Sequence, residues 1–394
     1  EEGIEAAKLL VEYGYDALDT DVGSYDSWWW SHPPMYQKKG LYRPFAELMK
    51  KTVDVPVICA GRMDDPDMAL EALENGETDM ISLGRPLLAD PDYVNKLRSG
   101  RVSEIRPCIS CHEGCMGRIQ EYSMLNCAVN PQACRERANA LNPVRIPKKV
   151  MIIGGGVAGC EAARVLALRG HMPSLYEKGS RLGGNLLPGG APDFKEDDIA
   201  LADWFTTMLE KLRVPVYLNT EASADDIRKS GADAVILATG SVPKVFSLGA
   251  DEHVYTAAQV LMKEKDAGDT AVVIGGGLVG CETALWLAQQ GKNVKIVEAL
   301  DSILAVNGPL CHANSEMLEK LIPFNGIEVI TSAKASGYDG RVLTVSTAEG
   351  EKKLECDSVI LSVGYSENNS LYHEIEFDIP ELYVLGDAKK VSNI

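Results

Sequence analysis

Residues 148–178, KKVMIIGGGVAGCEAARVLALRGHMPSLYEK, decide the fold, because they return 121 positions later as residues 269–299, DTAVVIGGGLVGCETALWLAQQGKNVKIVEA. Each copy reads as an apolar strand, a glycine turn, a helix of about a dozen residues, a glycine stop and a strand ending in glutamate. Gly154, Gly156, Gly159, Cys160, Glu161, Gly170 and Glu177 map onto Gly275, Gly277, Gly280, Cys281, Glu282, Gly291 and Glu298. In the pattern G-x-G-x-x-G the first glycine permits the tight turn, the second lets a pyrophosphate approach the backbone, and the third lets helix and strand pack closely. The helix N-terminus then faces the phosphates with its partial positive charge. A glutamate 23 residues after the first glycine stands where an acid accepts the ribose hydroxyls. Two dinucleotide-binding βαβ units are therefore expected. Glu298 points to NADH over NADPH, since its charge repels a 2′-phosphate and Ala299, Leu300 and Asp301 bring no arginine to offset it.

Residues 1–107 have a different rhythm: helix 2–13, strand 15–20, helix 43–52, strand 55–60, helix 66–75 and strand 79–83. The strands leave into DTDVGSYD, CAGRMDDP and SLGRPLLADP, with Gly, Asp or Arg at each mouth. Such βα units suit a parallel sheet or a (β/α)8 barrel, whose active sites lie on that face. A whole barrel takes about 250 residues, so this stretch reads as its C-terminal part. The chain opens in mid-helix pattern without methionine and ends soon after a cofactor-type motif, and a fragment of a longer protein is expected. The α/β division reads 1–107 as barrel end, 108–147 as a cysteine-bearing linker, and the two nucleotide-binding units after it.

Four of the ten cysteines, Cys108, Cys111, Cys115 and Cys127, form C-x2-C-x3-C-x11-C. Four thiolates brought together suit a [4Fe-4S] cluster. Structural zinc also accepts four thiolates, but usually through two C-x2-C knuckles. His112 is expected on the surface or supporting the ligands rather than ligating. Cys160 and Cys281, just inside their helices, are expected as small buried packing residues. Cys134, Cys311 and Cys356 suggest no chemistry.

The first glycine turn is followed by SRLGGNL (180–186) and VILATGSVP (235–243), and the chain closes on LYVLGDA (382–388). Together these resemble the flavoproteins with two dinucleotide-binding domains. The resemblance implies an FAD-binding domain over 148–250 and 365–394 with an NAD(H)-binding domain inserted over 251–364, and that Gly154, Gly156, Gly159, Glu177, Lys178, Gly184, Asn185 and Asp387 serve FAD while Gly275, Gly277, Gly280 and Glu298 serve NADH. With no C-x4-C pair near either turn, a disulfide reductase is not expected.

The order of barrel end, cysteine motif, FAD turn, NAD turn and final Gly-Asp resembles the family of bacterial 2,4-dienoyl-CoA reductase, 2-enoate reductase and trimethylamine dehydrogenase. Their barrel is of the old yellow enzyme type and binds FMN. The resemblance implies an FMN phosphate at Ala60, Gly61 and Arg62 and at Gly84 and Arg85, where glycine amides and a guanidinium fork suit the ligand. The loop TDVGSYDSWWWSHPP (20–34) carries three consecutive tryptophans that cannot all face one core. It reads either as a substrate-pocket wall, with Tyr25 and His32 as candidate catalytic groups, or as a packing plug or subunit contact. The family's tyrosine proton donor belongs to an earlier barrel strand. Expected is an NADH-dependent reduction of the C=C bond of an α,β-unsaturated acid or acyl-CoA through FAD, the cluster and FMN. A trimethylamine dehydrogenase-like amine dehydrogenase and a non-catalytic iron-sulfur electron-transfer module are the alternatives.

Composition agrees with such an enzyme. Apolar residues make up 45% of the 394 and charged ones 24%, as in a globular protein. Asp and Glu number 57 against 39 Lys and Arg, a net charge of −18 that disfavours nucleic acid and acidic lipid as partners. A small-molecule substrate is expected, and a homo-oligomer is compatible with this reading. With no apolar run near the roughly 20 residues of a membrane helix and no secretory leader pattern, the cytoplasm is the expected compartment.

Overall fold

The computed structural model describes residues 2–305 and 310–392. The chain forms two compact units, Glu1–Ala138 with Leu310–Met317, and Asn139–Pro309 with Leu318–Ile394.

In the first unit a parallel sheet is built from β1 (Leu18–Thr20), β2 (Val57–Cys59) and β3 (Met80–Ile81), in that order. Leu18, Asp19 and Thr20 lie opposite Val57, Ile58 and Cys59, and Ile58 and Cys59 opposite Met80 and Ile81. The expected helices form at Glu2–Glu12, Arg43–Lys50 and Pro66–Glu74. The last starts where the sequence says it must, with Pro66 in the first turn and the Asp65 carboxylate capping the amides of Asp67 and Met68. Ala46, Val57, Cys59 and Ala72 are wholly buried between helices and sheet. Three further short helices, Trp28–Ser31, Arg85–Ala89 and Tyr93–Arg98, were not foreseen, being too short to show a period.

The cysteine segment is more than the linker the sequence suggested. Through Ala138 it belongs to the same compact unit as the βα elements. Arg106 donates its amide to Asp90 Oδ2 (2.7 Å) and its guanidinium to the Val129 carbonyl (2.9 Å), while Asn130 Nδ2 holds the Leu88 carbonyl (2.8 Å). Buried polar groups satisfied in this way leave a segment of low apolar content with one conformation.

The second unit holds two all-parallel five-stranded sheets. The first comprises β4 (Lys149–Ile153), β5 (Met172–Tyr176), β6 (Val216–Tyr217), β7 (Ala234–Leu237) and a late strand Leu382–Val384, which lies at the edge beside β7. After a short strand β8 (Ser241–Pro243), the second sheet comprises β9 (Val254–Thr256), β10 (Thr270–Ile274), β11 (Asn293–Val297), β12 (Glu328–Ile330) and a strand Ser358–Leu361 between β10 and β9. An antiparallel meander over 334–355 precedes that last strand, and Tyr365–Glu367 then pairs antiparallel with β8. The second sheet is thus inserted into the first domain, and the chain enters and leaves it through one two-stranded ribbon. Continuous burial of β4 from Val150 to Ile153 and of β10 from Ala271 to Ile274 explains why both read as plain apolar runs: helices cover both faces. No helix among the described residues is long and apolar enough to cross a membrane.

Candidate functional site

The first glycine turn connects β4 to the helix Val157–Leu168. Gly154 has φ +105°, and a Cβ there would stand 2.2 Å from the Ala238 carbonyl oxygen. A Cβ on Gly159 would lie 1.9 Å from the Gly154 carbonyl oxygen, so the first and third glycines are demanded by the fold itself. Gly156 differs: the nearest atom to its missing Cβ is Gly184 Cα at 3.8 Å. Its backbone dihedrals are ordinary extended ones, so the packing around it tolerates a side chain. That open space would fit the pyrophosphate of a dinucleotide.

The flanking pieces converge on this turn. Gly183 donates its amide to the Gly155 carbonyl (2.8 Å) and forms a bridge with Gly156, while a Cβ on Gly184 would stand 2.9 Å from Gly156 Cα. Glu177 accepts from the amides of Gly155 (2.7 Å) and Gly179 (2.6 Å), which buttresses the turn and leaves carboxylate lone pairs for a ribose. Asn185 Nδ2 donates to Ser241 Oγ (3.3 Å), and Ser241 Oγ donates to Asp387 Oδ2 (2.9 Å). Gly386 lies over the first helical turn, where its Cβ would come within 2.7 Å of Ala158 Cβ. Ser241 was missed from sequence, although it sits inside the quoted VILATGSVP. Lys178 is exposed on the rim.

The second turn repeats the design. Gly275 has φ +103°, and a Cβ on Gly280 would stand 1.9 Å from the Gly275 carbonyl oxygen. Glu298, 5% exposed, accepts from the amides of Gly276 (2.5 Å) and Leu300 (2.8 Å). At Gly277 no described atom lies within 4 Å of where a Cβ would be. Cys160 and Cys281 are fully buried, as expected, and each also donates its thiol to a turn carbonyl, of Gly155 (3.2 Å) and Gly276 (3.3 Å). The repeat-related glutamates part company. Glu161 pairs with Arg164 in its own helix at 2.7 Å, whereas buried Glu282 receives Lys195 Nζ at 3.0 Å, with Asp198 3.5 Å from the same ammonium. Burial pushes the Asp198 carboxyl up to about 6 against the pull of Lys195.

In the first unit His32, Asp21 and Arg85 are close enough for their charges to act on one another. Burial lowers the His32 pKa, Arg85 lowers it further, and Asp21 opposes both. His32 lies against Trp28, ring centroids 5.2 Å apart, and the three tryptophans form one helical turn rather than one wall. Tyr25 is 85% exposed and meets only the edge of Trp28 among the described rings, so it stands apart from His32. Gly61 has φ +85°, and its missing Cβ would sit 2.5 Å from the ring of buried Tyr42, so that glycine is required by packing. Arg62 is 7% exposed, and its Nη1 donates to the carbonyls of Met35 (3.2 Å), Pro34 (3.4 Å) and Gln37. Ala60 is half-buried beside it, and Gly84 has open space where a Cβ would be.

The four motif cysteines are partly buried thiols. Gly114 brings the distant one in: a Cβ there would lie 2.9 Å from Cys127 Cα, and its carbonyl accepts the Asn126 amide (2.7 Å). Ser110 (φ +51°) and His112 (φ +61°) flank Cys111 in left-handed conformations, a costly backbone that curls the loop around its sulfur. Burial pushes the Cys108 thiol up to about 12 and Cys111 well above its usual value, with Cys108, Cys115 and Cys127 all acting on Cys111. The amides of Ser110 and Glu113 hydrogen-bond the sulfurs of Cys108 and Cys111 and favour thiolate. Among the described residues no group of three or more His, Cys, Asp or Glu side chains is arranged to hold a metal ion.

Of the two places expected for His112, on the surface or supporting the ligands, the surface is ruled out: it is 1% exposed, because Nε2 meets Arg85 Nη1 and Nδ1 meets Asn314 Oδ1, each at 2.5 Å. Cys311, dismissed from sequence, is buried with its Cβ 3.6 Å from where a Gly117 Cβ would be. It lies 184 residues beyond the motif, a distance no local pattern spans.

With this geometry in hand, the chain belongs to the pyridine nucleotide-disulphide oxidoreductase family, whose model matches residues 148–389, and residues 1–104 match the NADH:flavin oxidoreductase / NADH oxidase family. It is 54% identical over its whole length to a cinnamate reductase of Clostridium sporogenes and covers 59% of that protein. It is 36% identical to an NADH oxidase of Thermoanaerobacter brockii, again over 100% of this chain and 62% of the relative. A solved 2-naphthoyl-CoA reductase bound to 2-naphthoyl-CoA superposes with a TM-score of 0.93 at 28% identity, over 99% of this chain and 60% of that one. The chain therefore spans about three fifths of the proteins it matches. The fold-class reading, a barrel end followed by Rossmann-like nucleotide-binding sheets, agrees with these families.

Proposed function

We propose that the full-length protein carrying this chain is an NADH-dependent ene-reductase that saturates the C=C bond of an aryl-substituted α,β-unsaturated acid, of which cinnamate is the type, or its thioester. The observation that carries the reading is one neighbourhood of charge in the first unit. Arg85 Nη1 meets Nε2 of His112, which stands between Cys111 and Cys115 in the chain, at 2.5 Å, and the same guanidinium lowers the His32 pKa, so His32 and the cysteine motif are joined through one arginine. The likeness to a cinnamate reductase favours an enoate over an amine as substrate.

FAD, a [4Fe-4S] cluster and FMN, when bound, would supply the redox chemistry by which NADH, leaving as NAD+, gives two electrons to the alkene, which gains a hydride at its β-carbon and a proton at its α-carbon. Gly154, Gly156, Gly159, Glu177, Gly184, Asn185, Ser241 and Asp387 hold the FAD, and Gly275, Gly277, Gly280 and Glu298 receive NADH. Cys108, Cys111, Cys115 and Cys127 hold the cluster. Three closely set cysteines and one distant one, rather than two C-x2-C knuckles, favour a cluster over zinc. Ala60, Gly84 and Arg85 face the FMN phosphate, with Gly61 and Arg62 shaping the loop. His32, kept neutral by burial and Arg85, orients the substrate's polar end at the barrel mouth.

The test is anaerobic purification of the full-length protein, with iron, FMN and FAD quantified and the spectrum followed on adding NADH, then cinnamate. Iron and both flavins, bleached by NADH and restored by cinnamate, are expected. Cofactors that NADH bleaches but no enoate restores would sink the substrate class, and zinc in place of iron would sink the relay.

A further inference from the structure

Arg85, His112 and Asn314 form a continuous hydrogen-bonded row in the first unit. A guanidinium has only donors, so His112 Nε2 accepts from Arg85 Nη1 and is unprotonated. Nδ1 therefore carries the hydrogen and donates it to Asn314 Oδ1. The imidazole is neutral, of one tautomer, and held at both ends in a position 1% exposed to solvent. Asn314 is 6% exposed and comes from a segment two hundred residues away in sequence, in the first turn of the helix His312–Phe324. The His112 carbonyl also accepts the Gly117 amide (2.9 Å), which ties the same residue into the loop that carries Cys111 and Cys115.

The proposed reaction needs nothing from this histidine: it sits between two cysteines of the motif and is neither exposed nor free to exchange partners. What it does is hold Arg85. A half-buried arginine side chain ordinarily keeps considerable rotamer freedom, and here one of its nitrogens is tethered to a rigid ring. We propose that His112 is a positioning residue that pins the Arg85 guanidinium beside the cysteine motif, so that a permanent positive charge raises the reduction potential of the cluster held there. The inference rests on the cluster reading above. Adding an electron makes a cluster more negative, and a cation at a set distance in a poorly hydrated site favours that state. Asn314 selects the tautomer and thereby keeps Nε2 available to Arg85, the part a second partner plays for many orienting histidines.

The test is an EPR-monitored redox titration of the cluster in the full-length protein, with iron counted in each sample. His112→Phe keeps the planar bulk and removes the acceptor; we expect the one-electron equilibrium to shift about tenfold toward the oxidised cluster, equivalent to about 59 mV for one electron. His112→Gln, whose amide oxygen accepts from Arg85 while its NH2 donates to Asn314, restores most of the potential. A merely structural histidine would give no such rescue. Asn314→Leu lies outside the cysteine loop and shifts the potential in the same direction by less, and it carries the test where His112→Phe loses iron. Unchanged potentials in iron-replete variants overturn the inference alone. Absence of iron from the unmodified protein overturns the cluster reading and this inference with it.

Discussion

The two glycine turns are the same sentence written twice, yet they are finished differently. Around the first, Gly183 and Gly184 lie directly on the turn, and Asn185, Ser241 and Asp387 close a polar row beside it. At the second, the residue related to Gly183 by the 121-residue repeat is Leu304, which donates the equivalent hydrogen bond to the Gly276 carbonyl (2.8 Å). No described atom stands over Gly277. The first turn is approached by the backbone of two glycines, whereas at the second the position related to Gly183 carries the Leu304 side chain. The difference teaches that the motif fixes the turn, and that the loop laid beside it decides which groups line it.

The largest effect expected separates the two related glutamates. Lys195→Met strands Glu282 and Asp198 in a buried site and should cost about 4 kcal/mol of stability in chemical denaturation. Glu161→Gln removes a half-exposed partner of Arg164 and should cost about 1 kcal/mol. Equal losses would mean that the buried lysine is no more than a surface pair. Next come Gly159→Ala and Gly280→Ala, each driving a Cβ to within 1.9 Å of a carbonyl oxygen. Each should cost about 3 kcal/mol. FAD content should fall only in the first variant, and NADH reduction of bound FAD should fail in the second. Loss of FAD in Gly280→Ala would reverse the assignment of the two turns.

A smaller effect is sharper. Gly277 has φ −72° and ψ −177°, which alanine adopts without strain, and nothing described is there to clash. Gly277→Ala should therefore leave the melting temperature unchanged or slightly raised, since alanine loses less chain entropy. It should weaken NADH binding about tenfold, or about 1.4 kcal/mol. Unchanged affinity would show that the pyrophosphate does not pass there. Smallest is Glu298→Gln, which keeps a hydrogen-bond acceptor for the turn and removes the charge. The NADH over NADPH preference in steady-state kinetics should fall severalfold, and an unchanged ratio would put the ribose elsewhere.

Much of this was legible because it is local. The repeat, its six glycines and the terminal glutamates announce two βαβ units, the helices at Arg43 and Pro66 follow from periodicity and capping, and the insertion of one nucleotide domain into the other was implied by the resemblance to two-domain flavoproteins. The cysteine spacing was equally plain. Illegible were contacts that join distant segments. Gly61 looked like a phosphate-loop glycine, but its missing Cβ first of all makes room for the Tyr42 ring. Arg62 looked like a phosphate fork, but its Nη1 is tied to three carbonyls of the 34–37 loop. Tyr25 and His32 looked equivalent in one aromatic loop, and the chain path left the first in solvent and brought the second beside Arg85.

By itself, then, the sequence determined what depends on near neighbours: turn geometry, helix starts, the apolar runs that become buried parallel strands, and a thiol set of metal-binding spacing. Only the tertiary structure decided how those parts are used. It bonded His112 to Arg85 and Asn314, paired Glu282 with Lys195 across 87 residues, and set Ser241 between Asn185 and Asp387. The physical reason is that a hydrogen bond or ion pair between remote segments leaves no periodic trace in the chain, and its partners are selected by which surfaces the folded core brings together.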